Sequence, residues 1–214
     1  MSVLTKVRNV GRGVLQRYGT GRMKRQLWNR EFAGGRWDCL DTMAGDCLYP
    51  HVERHARNGD ILDLGCGPGS TGNELNPSTY RSYTGVDISD VAVAKARRRT
   101  AENRRDTQNR YVQADLYRYV PEQMYDVILF GDSLYYLPHA RIAAILARYA
   151  KHLKPAGVFV ARIYDPSGKY RPIVETIERD FAVAEKHVYH GAQISVIAFR
   201  PLTERPAPST AGRR

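Results

Sequence analysis

The sequence predicts an α/β fold: a doubly wound, mostly parallel sheet with helices on both faces. Three observations predict it. Short apolar runs alternate with helical patterns between residues 60 and 180, the first run passes straight into a glycine-rich loop, and two apolar runs near the end are joined by a turn. Strands that alternate with helices need crossover connections, which favour parallel pairing with helices covering each face.

The chain has 214 residues, 43% apolar and 26% charged, the composition of one globular domain long enough to bury its own core. Cys39, Cys47 and Cys66 are odd in number and lack C-x-x-C spacing, so neither a disulfide framework nor a zinc site is expected, and a reducing compartment is. No run approaches the roughly 18 apolar residues of a membrane span, and the start lacks a secretory apolar run, so a soluble, cytoplasmic protein is expected.

The elements follow in order. Val3, Leu4, Val7, Val10, Val14, Leu15 and Tyr18 fall at helical spacing with basic residues between them, although Gly11 and Gly13 weaken a helix. This is a basic amphipathic arm that docks on its own domain, or meets a membrane surface or a partner; an acid-free, Arg-rich start also resembles a transit peptide. From Trp28 to Trp37, aromatic residues flank Gly34-Gly35, which predicts a turn. An apolar-periodic segment over 42–57 stops at Asn58-Gly59.

Strands are predicted at 60–64, 82–86, 111–113, 126–130 and 158–163, and helices at 70–76, 90–104, 139–153 and 169–179. Lys154-Pro155 ends the third of these helices, because proline cannot continue it. The runs 181–189 and 193–199, joined at His190-Gly191, read as an antiparallel pair closing the sheet. After Pro201 the chain is rich in Pro, Arg and Ser and reads as disordered. The expected organisation is a basic arm and lid over 1–40, a ligand-binding domain over 41–201 and a tail over 202–214.

The strongest local signal is the strand and loop Ile61-Leu62-Asp63-Leu64-Gly65-Cys66-Gly67-Pro68-Gly69-Ser70. In doubly wound sheets ligands bind at the carboxyl ends of the strands, where such a loop exposes bare backbone. A dinucleotide fingerprint needs G-x-G-x-x-G, yet Ser70 stands five after Gly65 and the third glycine comes early, at Gly69; the phosphate-binding G-x-x-x-x-G-K-[ST] is absent too. Asp63, two before the first glycine, would repel a pyrophosphate and attract an ammonium group. Asp87 closes the second strand, where a carboxylate can accept both hydroxyls of a ribose. Asp115 follows the third strand and can accept from an exocyclic amine, while Ile88 and Leu116 sandwich a base. Ammonium, ribose and adenine are parts of S-adenosylmethionine.

With these pieces in place, the chain resembles a class I S-adenosylmethionine-dependent methyltransferase of the compact bacterial small-molecule or saccharide type. The matching segments are LDLGCGPGS at 62–70, YTGVDIS at 83–89, VQADL at 112–116, YDVILFGDSLYYLP at 125–138 and LKPAGVFVARIYD at 153–165. The resemblance implies a Rossmann-like seven-stranded sheet with a reversed last strand. It also implies cofactor contacts from Asp63, Gly65, Cys66, Gly67, Asp87, Ile88, Asp115 and Leu116, with backbone from Phe130 or Gly131 near the methionine moiety. Cys66 is expected to be a small spacer rather than a reactive thiol.

Methyl transfer from a sulfonium is an in-line displacement, so the protein must align the acceptor, exclude water and take a proton where the acceptor carries one. Asp132 or His139, after the fourth strand, could take that proton, and Tyr135 and Tyr136 could wall or orient the acceptor, Tyr136 close enough to take part in catalysis. Arg162 or Tyr164 could meet an acidic or sugar substrate, and Trp28, Phe32 and Trp37 could fold over the cofactor as a lid. Each also has a plain structural role open to it, as helix cap, half-buried ring or sheet-edge packing. The fourth strand is not followed by N-P-P-Y or D-P-P-Y, and no second acidic cluster accompanies Asp132, which disfavours amino-group methylation of DNA and a magnesium site.

The net charge of +11 is local: residues 1–30 carry eight Lys/Arg and no acid, and residues 92–110 carry seven against two acids. The run Lys95, Arg97, Arg98, Arg99, Arg104, Arg105 can be a solvated helix face or a phosphate-backbone contact. The leading expectation is O-methylation of a small molecule, sugar or glycolipid. An RNA methyltransferase using its basic arm, and a cofactor-binding module without turnover, are the alternatives.

Overall fold

The computed structural model describes residues 3–41 and 44–202. The segment read as a disordered tail lies, from residue 203 on, outside the described residues.

Seven strands form one sheet: β1 (Asp60–Leu64), β2 (Ser82–Asp87), β3 (Asn109–Gln113), β4 (Tyr125–Gly131), β5 (Leu153–Tyr164), β6 (Phe181–Tyr189) and β7 (Ile194–Pro201), in the order β3-β2-β1-β4-β5-β7-β6. The first five are parallel, and β7 runs antiparallel to both β5 and β6. The final pair therefore closes one edge as expected, with β7 alone reversed. β1 is buried along its whole length, as a strand covered on both faces must be, and its two acids, Asp60 and Asp63, are buried with it.

Strand alternation sorts the core into two layers. Leu62, Leu64, Ile128, Phe130 and Phe159 pack with α6 (His139–Ala150) and α7 (Arg171–Asp180) on one face. Ile61, Val127, Leu129, Val158 and Val160 pack on the other with α3 (Tyr49–Ala56) and α5 (Asp90–Glu102). A short α4 (Ser70–Glu74) follows the glycine loop. β5 starts at Leu153, earlier than its apolar pattern suggests; Tyr125 pairs with Leu153, and the register then shifts before Val127 meets Val158, so Pro155 sits in the irregular stretch.

The N-terminal part differs most from expectation. α1 (Val3–Tyr18) is one helix, but Val14 and Tyr18 of its apolar stripe are exposed, at 55% and 69%, while Gln16 is buried. The residues from Trp28 to Ala33, which the sequence analysis left without an element, belong to α2 (Gly21–Ala33), which Thr20 caps by accepting from Met23 N. The turn begins only at Gly34-Gly35, since Met, Lys, Arg, Gln, Leu and Glu in this segment are good helix formers.

Candidate active site

At the end of β1 the chain turns through Gly65 and Gly67, both at positive φ (89° and 52°) where an L side chain is strained. A Cβ on Gly65 would also lie 2.6 Å from Ser133 Cβ. The Gly65 and Cys66 amides donate to Val86 O at 2.8 and 3.1 Å, tying the loop to β2. Gly67 N donates to Asp87 Oδ2 at 3.0 Å, and Ser89 N to Asp87 Oδ1 at 2.8 Å. A carboxylate has about four acceptor sites, so each Asp87 oxygen keeps capacity for a further donor.

Where the strand order reverses between β1 and β4, a cavity of about 320 Å³ opens at the carboxyl ends of the strands. Gly65, Gly67 and Gly131 give it a backbone wall. Asp87, Ile88, Asp115 and Leu116 line it after β2 and β3, and Asp132, Tyr135, Tyr136 and Arg162 line it after β4 and on β5. Gln16, Lys24, Trp28 and Phe32 cover it from the N-terminal helices, and Trp37 from the turn after α2.

That cover is tied down at both ends. Trp28, Phe32 and Trp37 cluster with ring centroids 5.9 to 6.5 Å apart, and Trp28 meets Tyr136 edge-on at 4.8 Å. Glu31 accepts from Arg12 Nη2 at 2.7 Å and from Trp37 Nε1 at 3.0 Å. Asn29 Nδ2 donates to Asp90 at 2.8 Å and Ser89 Oγ donates to Asn29 at 2.7 Å, so the lid is pinned to the turn that carries Asp87 and Ile88.

Of the residues singled out in the sequence, Trp28, Trp37, Gly65, Gly67, Asp87, Ile88, Asp115, Leu116, Gly131, Asp132, Tyr135, Tyr136 and Arg162 line this one cavity. Asp63, Cys66, Phe130 and His139 do not. Asp63 shares the sheet face of Ile61, behind the glycine loop, and is 2% exposed. It accepts from the Tyr83 hydroxyl through Oδ2, and its Oδ1 has no partner. So two acids, Asp87 and Asp115, meet at the cavity where three were expected. Cys66 is buried on the same side, and burial pushes its thiol well up, in keeping with a spacer. Phe130 is wholly buried against Tyr149 and Phe159. His139 starts α6 and turns away, with Nε2 at 3.0 Å from Pro172 O and 3.1 Å from Thr176 Oγ1 on α7.

Tyr164 also lines the cavity. Asp132 has a left-handed φ of 54°, accepts from Tyr164 N at 3.1 Å and lies 3.3 Å from Arg162 Nε. Burial raises its pKa, and the Arg162 charge opposes that only in part. Arg162 Nη1 also donates to Asp46 at 2.8 Å. Tyr135 stacks on Tyr170 at 4.6 Å, and burial raises both cavity tyrosines, so their hydroxyls stay protonated and serve as donors. The sequence reading missed Gln16, Lys24, Tyr117 and Asp46. Nothing local marks them, because each acts by a tertiary contact.

Burial, with a contribution from the Asp87 charge, pushes Asp63 up to about 7. A carboxyl raised above its unfolded value gives stability that is present in acid and lost as pH rises through the folded value. Asp63→Asn should therefore stabilise the ligand-free protein by about 1–3 kcal/mol, or roughly 2–10 °C in Tm, at pH 8 and much less at pH 5. Thermal melts at the two pH values check this; an equal shift at both would disprove the charge argument.

A sheet in this strand order, with a glycine loop, an acid at the end of β2 and a covered crevice at the switch point, defines a doubly wound α/β protein with a crevice at the carboxyl ends of its strands. Residues 61–157 match the family model described as a methyltransferase domain. That match spans a little under half of the chain and likens its central part to a methyltransferase domain.

Two curated relatives overlap it. A carboxy-S-adenosyl-L-methionine synthase of Chromohalobacter salexigens is 34% identical over 114 residues, 51% of this chain and 42% of that protein. A trans-aconitate 2-methyltransferase of Enterobacter sp. is 35% identical over 107 residues, 50% of this chain and 39% of that protein. The chain thus spans about two-fifths of the length of these relatives. The solved N-methyltransferase NodS from Bradyrhizobium japonicum, in complex with S-adenosyl-L-homocysteine, superposes with a TM-score of 0.64 at 17% identity, covering 83% of this chain and 97% of that one, a likeness of fold.

Proposed function

We propose that this chain is an S-adenosylmethionine-dependent methyltransferase acting on a hydroxyl of a small molecule. One observation carries the reading: a single covered cavity joins Asp87, Ile88, Asp115 and Leu116 to Asp132, Tyr135 and Tyr136. Its volume lies within the range of small-molecule pockets. Its bare glycine backbone, the spare acceptor capacity of Asp87 and the apolar pair Ile88 and Leu116 fit a nucleoside bearing a sulfonium.

When bound, that cofactor supplies an electrophilic methyl group, whose C–S bond breaks as the acceptor's C–O bond forms. The residues do the rest. Asp87 holds the ribose, Ile88 and Leu116 hold the base flat, and Asp115 accepts from its amine. Asp132, raised by burial, takes the hydroxyl proton. Trp28, Phe32 and Trp37 exclude water, which aligns the reactants and prevents hydrolysis.

An RNA acceptor has less support. Arg97 donates to Tyr111 O at 2.6 Å, Arg99 to Ser70 Oγ at 3.1 Å and Arg105 to Leu75 O at 2.6 Å, so part of the basic run is used inside the fold. Among the described residues no helix is long and apolar enough to cross a membrane. Calorimetry with S-adenosylhomocysteine tests the binding half and is expected to give saturable binding. Formation of that product with a panel of hydroxylated acceptors tests the reaction. No binding would refute the proposal, and binding of RNA with a steep loss in salt would favour the alternative.

A further inference from the structure

The covered cavity contains a polar group that the reading above does not use. Gln16 of α1 is only 5% exposed, lines the cavity, and its side-chain nitrogen has no hydrogen-bond partner. A buried amide left without a partner costs about 1–3 kcal/mol, so such a group in a cavity wall points to a ligand that completes it. Its place along the cavity follows from its neighbours. Arg17 donates to Tyr135 O at 3.1 Å. Arg12, one helical turn earlier on the same face, lies over the Trp37 ring at 5.8 Å, and its charge is felt by Tyr136. Gln16 therefore enters beside Tyr135 and Tyr136, at the end occupied by Asp132.

The charge at that end is also informative. The described residues lining the cavity include two cations: Lys24 lies over the Tyr117 ring at 4.5 Å and feels the Asp115 charge, whereas Arg162 is already held by Asp46 at 2.8 Å and Asp132 at 3.3 Å. Arg162, Asp46 and Asp132 together carry one net negative charge. A carboxylate acceptor beside Asp132 would add an anion and meet an Arg162 already paired twice, whereas a neutral hydroxyl can donate to Asp132. A ring oxygen or second hydroxyl of the same molecule can accept from the Gln16 amide. Trp28, Tyr135 and Tyr136 offer ring faces and edges for a flat or chair-shaped body.

We propose that Gln16 is an acceptor-binding residue, and that this end of the cavity selects an uncharged, ring-bearing polyhydroxyl acceptor over a carboxylate. The inference rests on the methyltransferase reading and names its substrate class. The ring can be a sugar or a phenol, and the test separates them.

Trp28 and Trp37 are the chain's two tryptophans and both line the cavity, so intrinsic fluorescence reports occupancy without turnover. The full chain, with and without saturating S-adenosylhomocysteine, is titrated with methyl α-D-glucopyranoside and with catechol. The carboxylated counterparts are methyl α-D-glucopyranosiduronate and 2,3-dihydroxybenzoate. At least one neutral probe is expected to bind saturably and about tenfold or more tighter than its carboxylated counterpart. Gln16→Met, equal in length but without a donor, should weaken the neutral probe about 3- to 10-fold while leaving S-adenosylhomocysteine binding unchanged.

Because Gln16→Met removes an unpaired amide, its Tm in the ligand-free state should be unchanged or higher, which a merely structural glutamine would not allow. Carboxylated probes binding as tightly as the neutral ones, no signal from either neutral probe, or equal loss of probe and S-adenosylhomocysteine affinity in Gln16→Met would each overturn the inference. Failure of S-adenosylhomocysteine itself to bind overturns the function reading instead, and the titrations of the ligand-free chain still decide this one.

Discussion

Asp132→Asn is expected to lower kcat by about 10²- to 10³-fold with any hydroxyl acceptor that supports turnover, the usual yield of a positioned general base. The substitution is mild for the fold. An amide oxygen can still accept from Tyr164 N, so the left-handed backbone at residue 132 keeps its tie to β5. What is lost is the place for the acceptor's proton. Because burial raises the Asp132 carboxyl, the acid limb of the wild-type rate profile should lie above the ordinary carboxylate range and vanish in the variant. Stopped-time assays of S-adenosylhomocysteine formation across pH, beside calorimetry of its binding, make the check. If kcat stays within about threefold of wild type, Asp132 is not the base.

Asp87→Ala should weaken S-adenosylhomocysteine binding by at least about 10- to 100-fold, or roughly 1.5–3 kcal/mol, because charge-assisted bonds to the ribose are lost. The effect has a second source. Asp87 also accepts from Gly67 N and Ser89 N, so alanine loosens the glycine loop that forms the cavity wall. Asp87→Asn separates the two, since its oxygen can keep one of these amides while the charge is gone. Burial pushes the Asp87 carboxyl up to about 6. The ionised form is the better acceptor, so wild-type affinity should fall as pH drops through that value and proton release should accompany binding near it. Calorimetry in buffers of different ionisation enthalpy measures both; a flat affinity from pH 5 to 8 would remove Asp87 from the ribose.

Much of the frame is legible along the chain. β1 appears as 60–64, where it is observed, and β2 to β4 differ by one or two residues at their ends. Parallel strands buried on both faces are written as apolar runs, and the glycine loop, Asp87 and Asp115 follow at strand ends because the fold places ligands there. The cover is legible in part: Trp28 and Trp37 stand on either side of the turn at Gly34-Gly35, but the helix carrying Trp28 is not, because Gly34-Gly35 dominates the local pattern.

The sequence by itself determined the sheet, its glycine loop and the class of domain, since these depend on hydrophobic period and on residues close together in the chain. Tertiary structure alone decided which acids reach the cavity. Asp63 is turned to the opposite face by the two-residue period of its strand, and His139 is claimed by α7, 33 and 37 residues away. It also decided that Arg162 is neutralised by Asp46, 116 positions distant, and that Gln16 is turned inward while Val14 and Tyr18 of α1 are exposed. Contacts between residues so far apart leave no local periodicity, because their energy arises only when packing brings the groups together.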